Sequence, residues 1–316
     1  MNTQAQDLKA HMEGQLRRVM FGLDDAMHAL TIAFIARGHV LLEGPPGLGK
    51  TLLGRHYAQV LGGSFGRIQG TADLMPTDIT GVHVYNAAAA AFEFQPGPVF
   101  NDVLLVDEIN RTGPKTQSAL LEAMEERQVS VDREAFALAD DFLVVATQNP
   151  SEFEGTYPLP ESQLDRFLVS VPLTYPNAAD ELRILAAYNL PDAQLRREPV
   201  PLDTVDRALI SAARQDVANV QVADSLYAYV LDLATATRQS SRISLGLSTR
   251  AALAVVRCAR VEAALRGGEF VIPDDVKRVF PWVARHRLSL SPDTILDGIV
   301  VDDELRRLLD TVAVPH

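Results

Sequence analysis

One eight-residue segment has the residue types and the spacing of a phosphate-binding loop. It starts at Gly44, places four residues before Gly49, and ends with Lys50 and Thr51. In such a loop the backbone N–H groups point at phosphate oxygens, the lysine reaches the β- and γ-phosphates, and the hydroxyl is a ligand of Mg²⁺. We therefore predict a nucleoside triphosphate site formed by Gly44, Pro45, Pro46, Gly47, Leu48, Gly49, Lys50, Thr51 and Leu52.

Two carboxylates that end a later apolar run are the second group suited to chemistry. Val103–Val106 is followed directly by Asp107 and Glu108. Because the carboxyl ends of parallel strands line the ligand crevice, both acids should arrive beside the loop. We expect Asp107 to hold Mg²⁺ and Glu108 to polarise the attacking water as general base. An apolar run ending in two acids is weak evidence alone, but after a phosphate-binding loop it is specific and indicates a hydrolase.

A third apolar run ends in an amide that suits the same site. Phe142–Thr147 precedes Gln148-Asn149-Pro150. At a strand end, Asn149 would hydrogen-bond the γ-phosphate or the attacking water. An asparagine before proline is more commonly a turn residue. Its order and spacing after the two earlier motifs favour the functional interpretation.

The elements that carry these residues predict a three-layer α/β domain with a parallel sheet. Short apolar runs alternate with helical patterns, and runs buried on both faces read as continuous apolar stretches. The predicted strands are His39–Glu43, Gly66–Gln69, Val103–Val106, Phe142–Thr147 and Leu168–Pro172.

Beyond a Pro/Arg-rich stretch the pattern becomes helical, which predicts a second, smaller all-α domain. We place the α/β nucleotide-binding domain at residues 1–190, a linker at 191–201 and the helical domain at 202–316. Capping residues and proline support the helix starts. The predicted helices are Leu202–Ala213, Val222–Gln239, Ser248–Arg266, Pro273–Phe280 and Val301–Thr311.

Composition excludes several function classes. The chain has 316 residues and a formal net charge of −12, which disfavours nucleic acid as a partner. Cys258 is the single cysteine, so no intrachain disulfide can form. No apolar run reaches membrane-spanning length and the N-terminal residues show no charged-then-apolar signal pattern, so we expect a cytoplasmic protein. The seven histidines lack metal-ligand spacing, and His286, between Arg285 and Arg287, is expected at the surface or between domains.

Taken together, the motifs resemble those of the MoxR group of AAA+ ATPases. The resemblance runs from about residue 15 to the C-terminus, so it includes the second domain, which corresponds to the family's lid. It implies an AAA+ P-loop fold that binds ATP and Mg²⁺. The segments that carry it are Leu42–Thr51, Asp107–Arg111, Ala146–Pro150 and Leu159–Phe167.

The resemblance also implies roles for individual residues. Asn149 matches the first sensor, Arg166 the arginine finger that a neighbouring subunit supplies, and Arg250 the second sensor at the start of a lid helix. By position alone, Arg166 would be read as an ordinary surface ion-pair residue. The adenine contact falls on Val19, Phe21 and Gly22. Leu23 differs from the glutamine that many relatives carry there.

For the whole protein, the resemblance implies a homo-oligomeric ring, a hexamer, that remodels other proteins. Such rings act as chaperones in the assembly or activation of complexes, often metal- or cofactor-dependent enzymes. They commonly work on a protein client together with a partner that has a von Willebrand factor A-type domain. Three alternatives remain open: a nucleic-acid-remodelling motor, a chelatase- or carboxylase-activase-type subunit, and a nucleotide switch without turnover.

An insertion in the second helix of the family matches the stretch between Gly81 and Gly97. Phe92 and Phe94 lie two residues apart within it. That spacing fits two aromatic side chains in the core, and equally an exposed surface that faces a pore or a client. We also expect a hairpin to open near Glu125 to Val131, before the first sensor.

Overall fold

A five-stranded parallel sheet is the centre of the computed structural model, which describes residues 3–132, 134–150, 155–188 and 201–315. The strands, in chain order, are β1 Val40–Glu43, β2 Phe65–Gln69, β3 Gly81–Asn86, β4 Ala91–Pro96, β5 Val103–Asp107, β6 Gln128–Val131, β7 Glu134–Ala137, β8 Leu143–Gln148, β9 Val169–Pro172, β10 Ile243–Leu245 and β11 Ser289–Leu290. The central sheet has the order β2-β5-β8-β1-β9 with all neighbours parallel, as predicted.

Helices cover both faces of this sheet. Along β1, Val40 and Leu42 join one apolar cluster while Leu41 joins the other, and β5 alternates in the same way. Alternate side chains of a strand point to opposite faces, so strands with helices on both sides must be apolar throughout. The helices are α1 Gln4–Leu16, α2 Asp24–Ile35, α3 Lys50–Leu61, α4 Pro76–Thr80, α5 Pro114–Glu126, α6 Glu161–Leu164, α7 Ala178–Tyr188, α8 Arg207–Asn219, α9 Asp224–Gln239, α10 Thr249–Arg266, α11 Pro273–Ala284, α12 Pro292–Leu296 and α13 Val301–Thr311.

Two antiparallel hairpins project from the α/β region. One pairs β3 with β4 and the other pairs β6 with β7. The rings of Phe94 and Phe136 stack with centroids 4.2 Å apart, and this stack joins the hairpins. Phe92 lies two residues earlier on the same face of β4, nearer the hairpin turn, and is 70% exposed. The two phenylalanines of the insertion therefore have different environments.

The C-terminal region, from α8 to α13, is helical with one small ladder of β10 and β11. The first helix begins at Arg207 rather than Leu202. Val205 N donates to Val60 O in the α/β region, and the Asp206 carboxylate caps Ala208 N, so the chain before Arg207 is extended. Apart from its last residue, the predicted linker 191–201 lies outside the described residues. No helix of the described ranges is long and apolar enough to cross a membrane.

Candidate nucleotide-binding site

The phosphate-binding loop joins the end of β1 to the start of α3. Gly47 and Gly49 have φ of +86° and +78°, a backbone conformation that L side chains rarely adopt. These values curl the loop over the first turn of α3, and the N-terminus of a helix attracts an anion. The Lys50 ammonium donates to Gly44 O at 2.6 Å and so lies along the loop. The predicted loop residues are therefore assembled at the carboxyl edge of the sheet.

A hydroxyl and a carboxylate meet where Mg²⁺ was predicted. Thr51 Oγ1 donates to Asp107 Oδ2 at 3.2 Å, and Thr147 Oγ1 donates to Asp107 Oδ1 at 3.4 Å. Two oxygens on neighbouring positions of an octahedral Mg²⁺ are about 3 Å apart, given metal–oxygen bonds of about 2.1 Å. The Thr51 and Asp107 oxygens therefore fit the ion. Arg67 Nε also donates to Asp107 Oδ2, at 2.8 Å.

Glu108 lies next to this pair in an unusual backbone conformation. Its φ of +55° places it in the left-handed region, which is uncommon for a residue with a side chain and recurs at functional sites. Its N–H donates to Thr147 Oγ1 at 3.0 Å, which holds the residue against β8. Its carboxylate lies 2.9 Å from Arg111 Nε. The backbone at Glu108 is thus fixed while its side chain faces the site.

The polar residues named so far enclose one cavity, here called the phosphate pocket. Its volume is about 240 Å³, and Asn149 lines it together with Glu108 and Lys50. Sequence reasoning missed Arg67, Gln69 and Thr147. The first two alternate on β2, beside the end of β5, so strand pairing was the signal that could have found them. The full lining is Pro46, Gly47, Gly49, Lys50, Thr51, Leu52, Arg67, Gln69, Asp107, Glu108, Thr147 and Asn149.

A larger apolar cavity of about 520 Å³, here called the base pocket, adjoins the phosphate pocket. The two share Gly47, Gly49 and Leu52, so one molecule with a flat apolar end and a charged end can occupy both. Its lining includes Val19 and Phe21, two of the three predicted adenine contacts, and also Leu23. Sequence reasoning did not identify five further lining residues: Tyr175, Pro176, Glu181, Ile184 and Leu185.

Gly22, the third predicted contact, is not part of this lining but packs against Pro176, which is. Its φ is +72°, and a Cβ built there would lie 2.8 Å from Pro176 Cβ. Only glycine allows the segment before α2 to pack this closely on the segment after β9. The Arg183 guanidinium lies over the Phe21 ring, 4.4 Å from its centroid. These contacts join the two walls of the pocket.

Arg166 and Arg250 are brought together, but away from both pockets. Both guanidinium groups pair with the Glu125 carboxylate, and Arg250 Nε lies 3.7 Å from Asp165 Oδ2. They line a third cavity of about 290 Å³, the arginine pocket, with further arginines from several elements. Its lining is Arg37, Gly38, His39, Met124, Glu125, Arg127, Asp165, Arg166, Leu168, Arg250, Leu253, Ala254, Arg257 and Arg287.

The arginine pocket lies at the opposite edge of the sheet from the phosphate pocket. Gly38 and His39 directly precede β1 and Leu168 directly precedes β9, whereas the phosphate-binding loop follows β1. A four-residue strand spans about 13 Å, so the two pockets are separated by the length of the sheet. Arg166 and Arg250 therefore point away from the phosphate pocket of their own chain.

A buried histidine forms the floor of the arginine pocket. Burial lowers the pKa of His39 to about 4. Its Nδ1 accepts from Val144 N at 3.0 Å, so the ring proton is on Nε2, which donates to Met124 O at 3.0 Å. The ring is neutral at physiological pH, and the positive charge of the pocket comes from its arginines alone.

Comparison with known proteins places the chain in a family. Residues 39–169 match the ATPase family associated with various cellular activities (AAA), and residues 235–308 match the AAA lid domain. YeaC of Bacillus subtilis is 43% identical over 95% of this chain and 92% of its own length. Chaperone MoxR1 of Mycobacterium tuberculosis is 41% identical over 96% of this chain and 81% of its own length. A crystal structure from Cytophaga hutchinsonii superposes with a TM-score of 0.88 at 34% identity, covering 99% of this chain and 97% of that one. The chain belongs to the MoxR family of AAA+ ATPases.

Proposed function

We propose that this protein hydrolyses ATP with Mg²⁺ at sites that are each completed by a neighbouring copy of the chain. The observation that carries this proposal is the division of the predicted catalytic residues between two edges of the sheet. Lys50, Glu108 and Asn149 line the phosphate pocket, whereas Arg166 and Arg250 line the arginine pocket. Two copies arranged head to tail would bring one set against the other.

The roles follow from the chemistry of phosphoryl transfer, which needs positioning and charge stabilisation. Thr51 and Asp107 would hold Mg²⁺, which neutralises charge on the phosphates when bound. Glu108 would orient the attacking water and accept its proton, and Asn149 would hydrogen-bond the γ-phosphate or that water. An arginine supplied from another subunit raises such rates by about 10³–10⁵-fold.

A head-to-tail contact of this kind repeats, so it closes into a ring when the rotation permits. We propose a hexameric ring that uses hydrolysis to remodel a protein client, with a von Willebrand factor A-domain partner. The similarity to Chaperone MoxR1 supports the chaperone role. The net charge of −12 supports a protein client over a nucleic acid.

The test is phosphate release from ATP across a series of protein concentrations. Specific activity should rise with concentration, and Arg166→Ala should abolish the rise. Arg306→Ala is the matched control, because Arg306 is exposed on α13 and pairs only locally with Asp303. Activity that is independent of concentration and equal in Arg166→Ala would refute the shared site.

Mixing two inactive variants tests the same point directly. Lys50→Ala removes nucleotide binding but keeps Arg166, whereas Arg166→Ala keeps the phosphate pocket. Mixed oligomers should regain activity, because some interfaces join an intact pocket to an intact finger. Failure to regain activity would place Arg166 in the site of its own chain.

A further inference from the structure

A buried arginine of the lid, Arg287, contacts the chain segment that carries the arginine finger, Arg166. Arg287 follows α11 and is only 8% exposed. Its Nε donates to Asp165 Oδ1 at 2.5 Å, and its other N–H groups donate to four carbonyl oxygens. Those acceptors are Leu168 O at 3.1 Å, Val283 O at 2.6 Å, Asp165 O at 3.2 Å and Phe167 O at 2.6 Å.

This set of contacts uses the whole guanidinium. Arginine has five N–H donors in a fixed plane, and each one here has an acceptor. Four of the five acceptors belong to Asp165, Phe167 and Leu168, the residues that flank Arg166. A lysine has three donors without the planar geometry, so it cannot replace these contacts. The conformation of the finger segment is therefore set by the lid.

His286 adds a fifth contact to the same segment. It is buried, and its Nε2 lies 3.0 Å from Phe167 O. Burial and the neighbouring Arg287 lower the pKa of His286 well below its ordinary value, so the ring is neutral and donates from Nε2. His286, which was expected at the surface or between domains, is thus buried where the lid packs against the segment around Arg166.

The other end of the same turn contacts the strand that leads to the phosphate-binding loop. Arg285 Nε lies 3.4 Å from Glu43 Oε2, and Glu43 directly precedes Gly44. Arg285 Nη2 also donates to Asp302 Oδ2, in the last helix, at 3.2 Å. Within three residues, the lid touches the base of its own phosphate-binding loop and the finger intended for a neighbour.

We propose that Arg287 is a positioning residue for Arg166, through which the lid of one subunit sets the activity of the adjacent subunit's site. The proposal rests on the trans-acting role proposed above for Arg166. A movement of the lid, when its own pocket changes occupancy, displaces Asp165 and the Phe167 carbonyl and with them the finger.

The experiment measures ATP turnover and ATP affinity separately. Arg287→Lys should lower kcat on the order of 10²-fold, the cost of a finger displaced by about 1 Å. The Kd of a fluorescent ATP analogue should stay within about twofold, because the subunit's own pocket is intact. Arg278→Lys is the matched control, since Arg278 is an exposed lid arginine that pairs with Asp25 of α2. It should keep full activity.

Two further readouts separate positioning from a loss of structure. In the double variant with Arg166→Ala, Arg287→Lys should lower kcat no further than about twofold, because its effect passes through Arg166. Mixing Arg287→Lys with Lys50→Ala should restore activity, because the defect lies in the finger and not in the pocket. Asp165→Asn removes the partner carboxylate and should show the same pattern if Arg287→Lys does not fold.

Three results would overturn the proposal. They are full activity of both Arg287→Lys and Asp165→Asn, a loss that multiplies with that of Arg166→Ala, and a weakened ATP affinity without recovery on mixing. A different result would overturn the shared site itself: Arg166→Ala that fails to recover with Lys50→Ala. The two failures are thus distinguished by which mixture is inactive.

Discussion

Glu108 has a backbone conformation that costs free energy. A non-glycine residue in the left-handed region stores on the order of 1–3 kcal/mol of strain. Its backbone is nevertheless held there by Thr147, while its carboxylate lies between the phosphate pocket and Arg111. A tight turn after β5 brings the carboxylate back toward the loop that follows β1. A purely structural acid at a strand end would need no such turn.

We expect Glu108→Gln to bind ATP and to hydrolyse it about 10²–10⁴-fold more slowly, because the amide cannot accept the proton of the attacking water. Lys50→Ala should instead lose binding. Phosphate release and the binding of a fluorescent ATP analogue measure the two effects. Glu134→Gln, on the exposed edge of β7, should change neither rate nor affinity. Normal turnover in folded Glu108→Gln protein would exclude the general-base role.

At the scale of elements, the two hairpins form one unit with a small aromatic core. Phe94 stacks on Phe136 and packs edge-on against Phe100, and His83 lies 5.3 Å from the Phe94 ring. Nearer the hairpin turn on the same face, Phe92 lies 5.4 Å from the Tyr85 ring and remains exposed. The two rings share one face of β4, but Phe100 and Phe136 pack against Phe94, so Phe94 joins the core while Phe92 stays exposed.

Phe94→Ala should therefore lower the free energy of unfolding on the order of 2 kcal/mol, because it removes a stacked and partly buried ring. Phe92→Ala is the matched control and should cost less than about 0.5 kcal/mol. Urea unfolding of the two variants, followed by circular dichroism, gives both values. Equal losses for the two variants would mean that the hairpins are not held together by the Phe94 stack.

At the scale of the whole molecule, one hydrogen-bonded triad joins three parts of the chain. His28 of α2 lies 3.1 Å from Glu13 of α1 and 2.6 Å from Glu262 of α10 in the lid. Burial alone would lower the pKa of His28, but the two carboxylates outweigh burial and raise the pKa above its ordinary value of 6.5. Lys9 and Arg17 also face Glu13 and keep it ionised.

The raised pKa of His28 predicts how stability depends on pH. The protonated ring stabilises the fold fully below pH 6.5, and this stabilisation is lost as the pH rises through the folded-state pKa. His28→Gln should therefore lower the free energy of unfolding more at about pH 6 than at about pH 8.5. Within that window the difference should shrink by at most about 1.4 kcal/mol per pH unit. A gap that stays constant with pH would contradict this assignment.

The sequence by itself predicted the features that depend on local residue patterns. The alternation of apolar runs predicted all five strands of the sheet to within one residue at each end, because strands buried on both faces cannot tolerate polar residues. The spacing of Gly44, Gly49, Lys50 and Thr51 predicted the phosphate-binding loop, because backbone curvature and phosphate contact need those types at those positions. Asp107, Glu108 and Asn149 followed from the rule that parallel strands end at one edge.

Only the tertiary structure decided which distant residues meet. Arg67 and Gln69 reach Asp107 because β2 pairs with β5, and the base pocket depends on the packing of α7 against the segment before α2. Arg166 and Arg250 both pair with Glu125, at the edge of the sheet away from their own phosphate pocket. No local sequence pattern shows at which of the two edges either arginine lies. Arg287 resembled any surface arginine in the sequence. Its five acceptors are mostly backbone carbonyls, which every residue carries, so only the fold could reveal its contacts with the segment around Arg166.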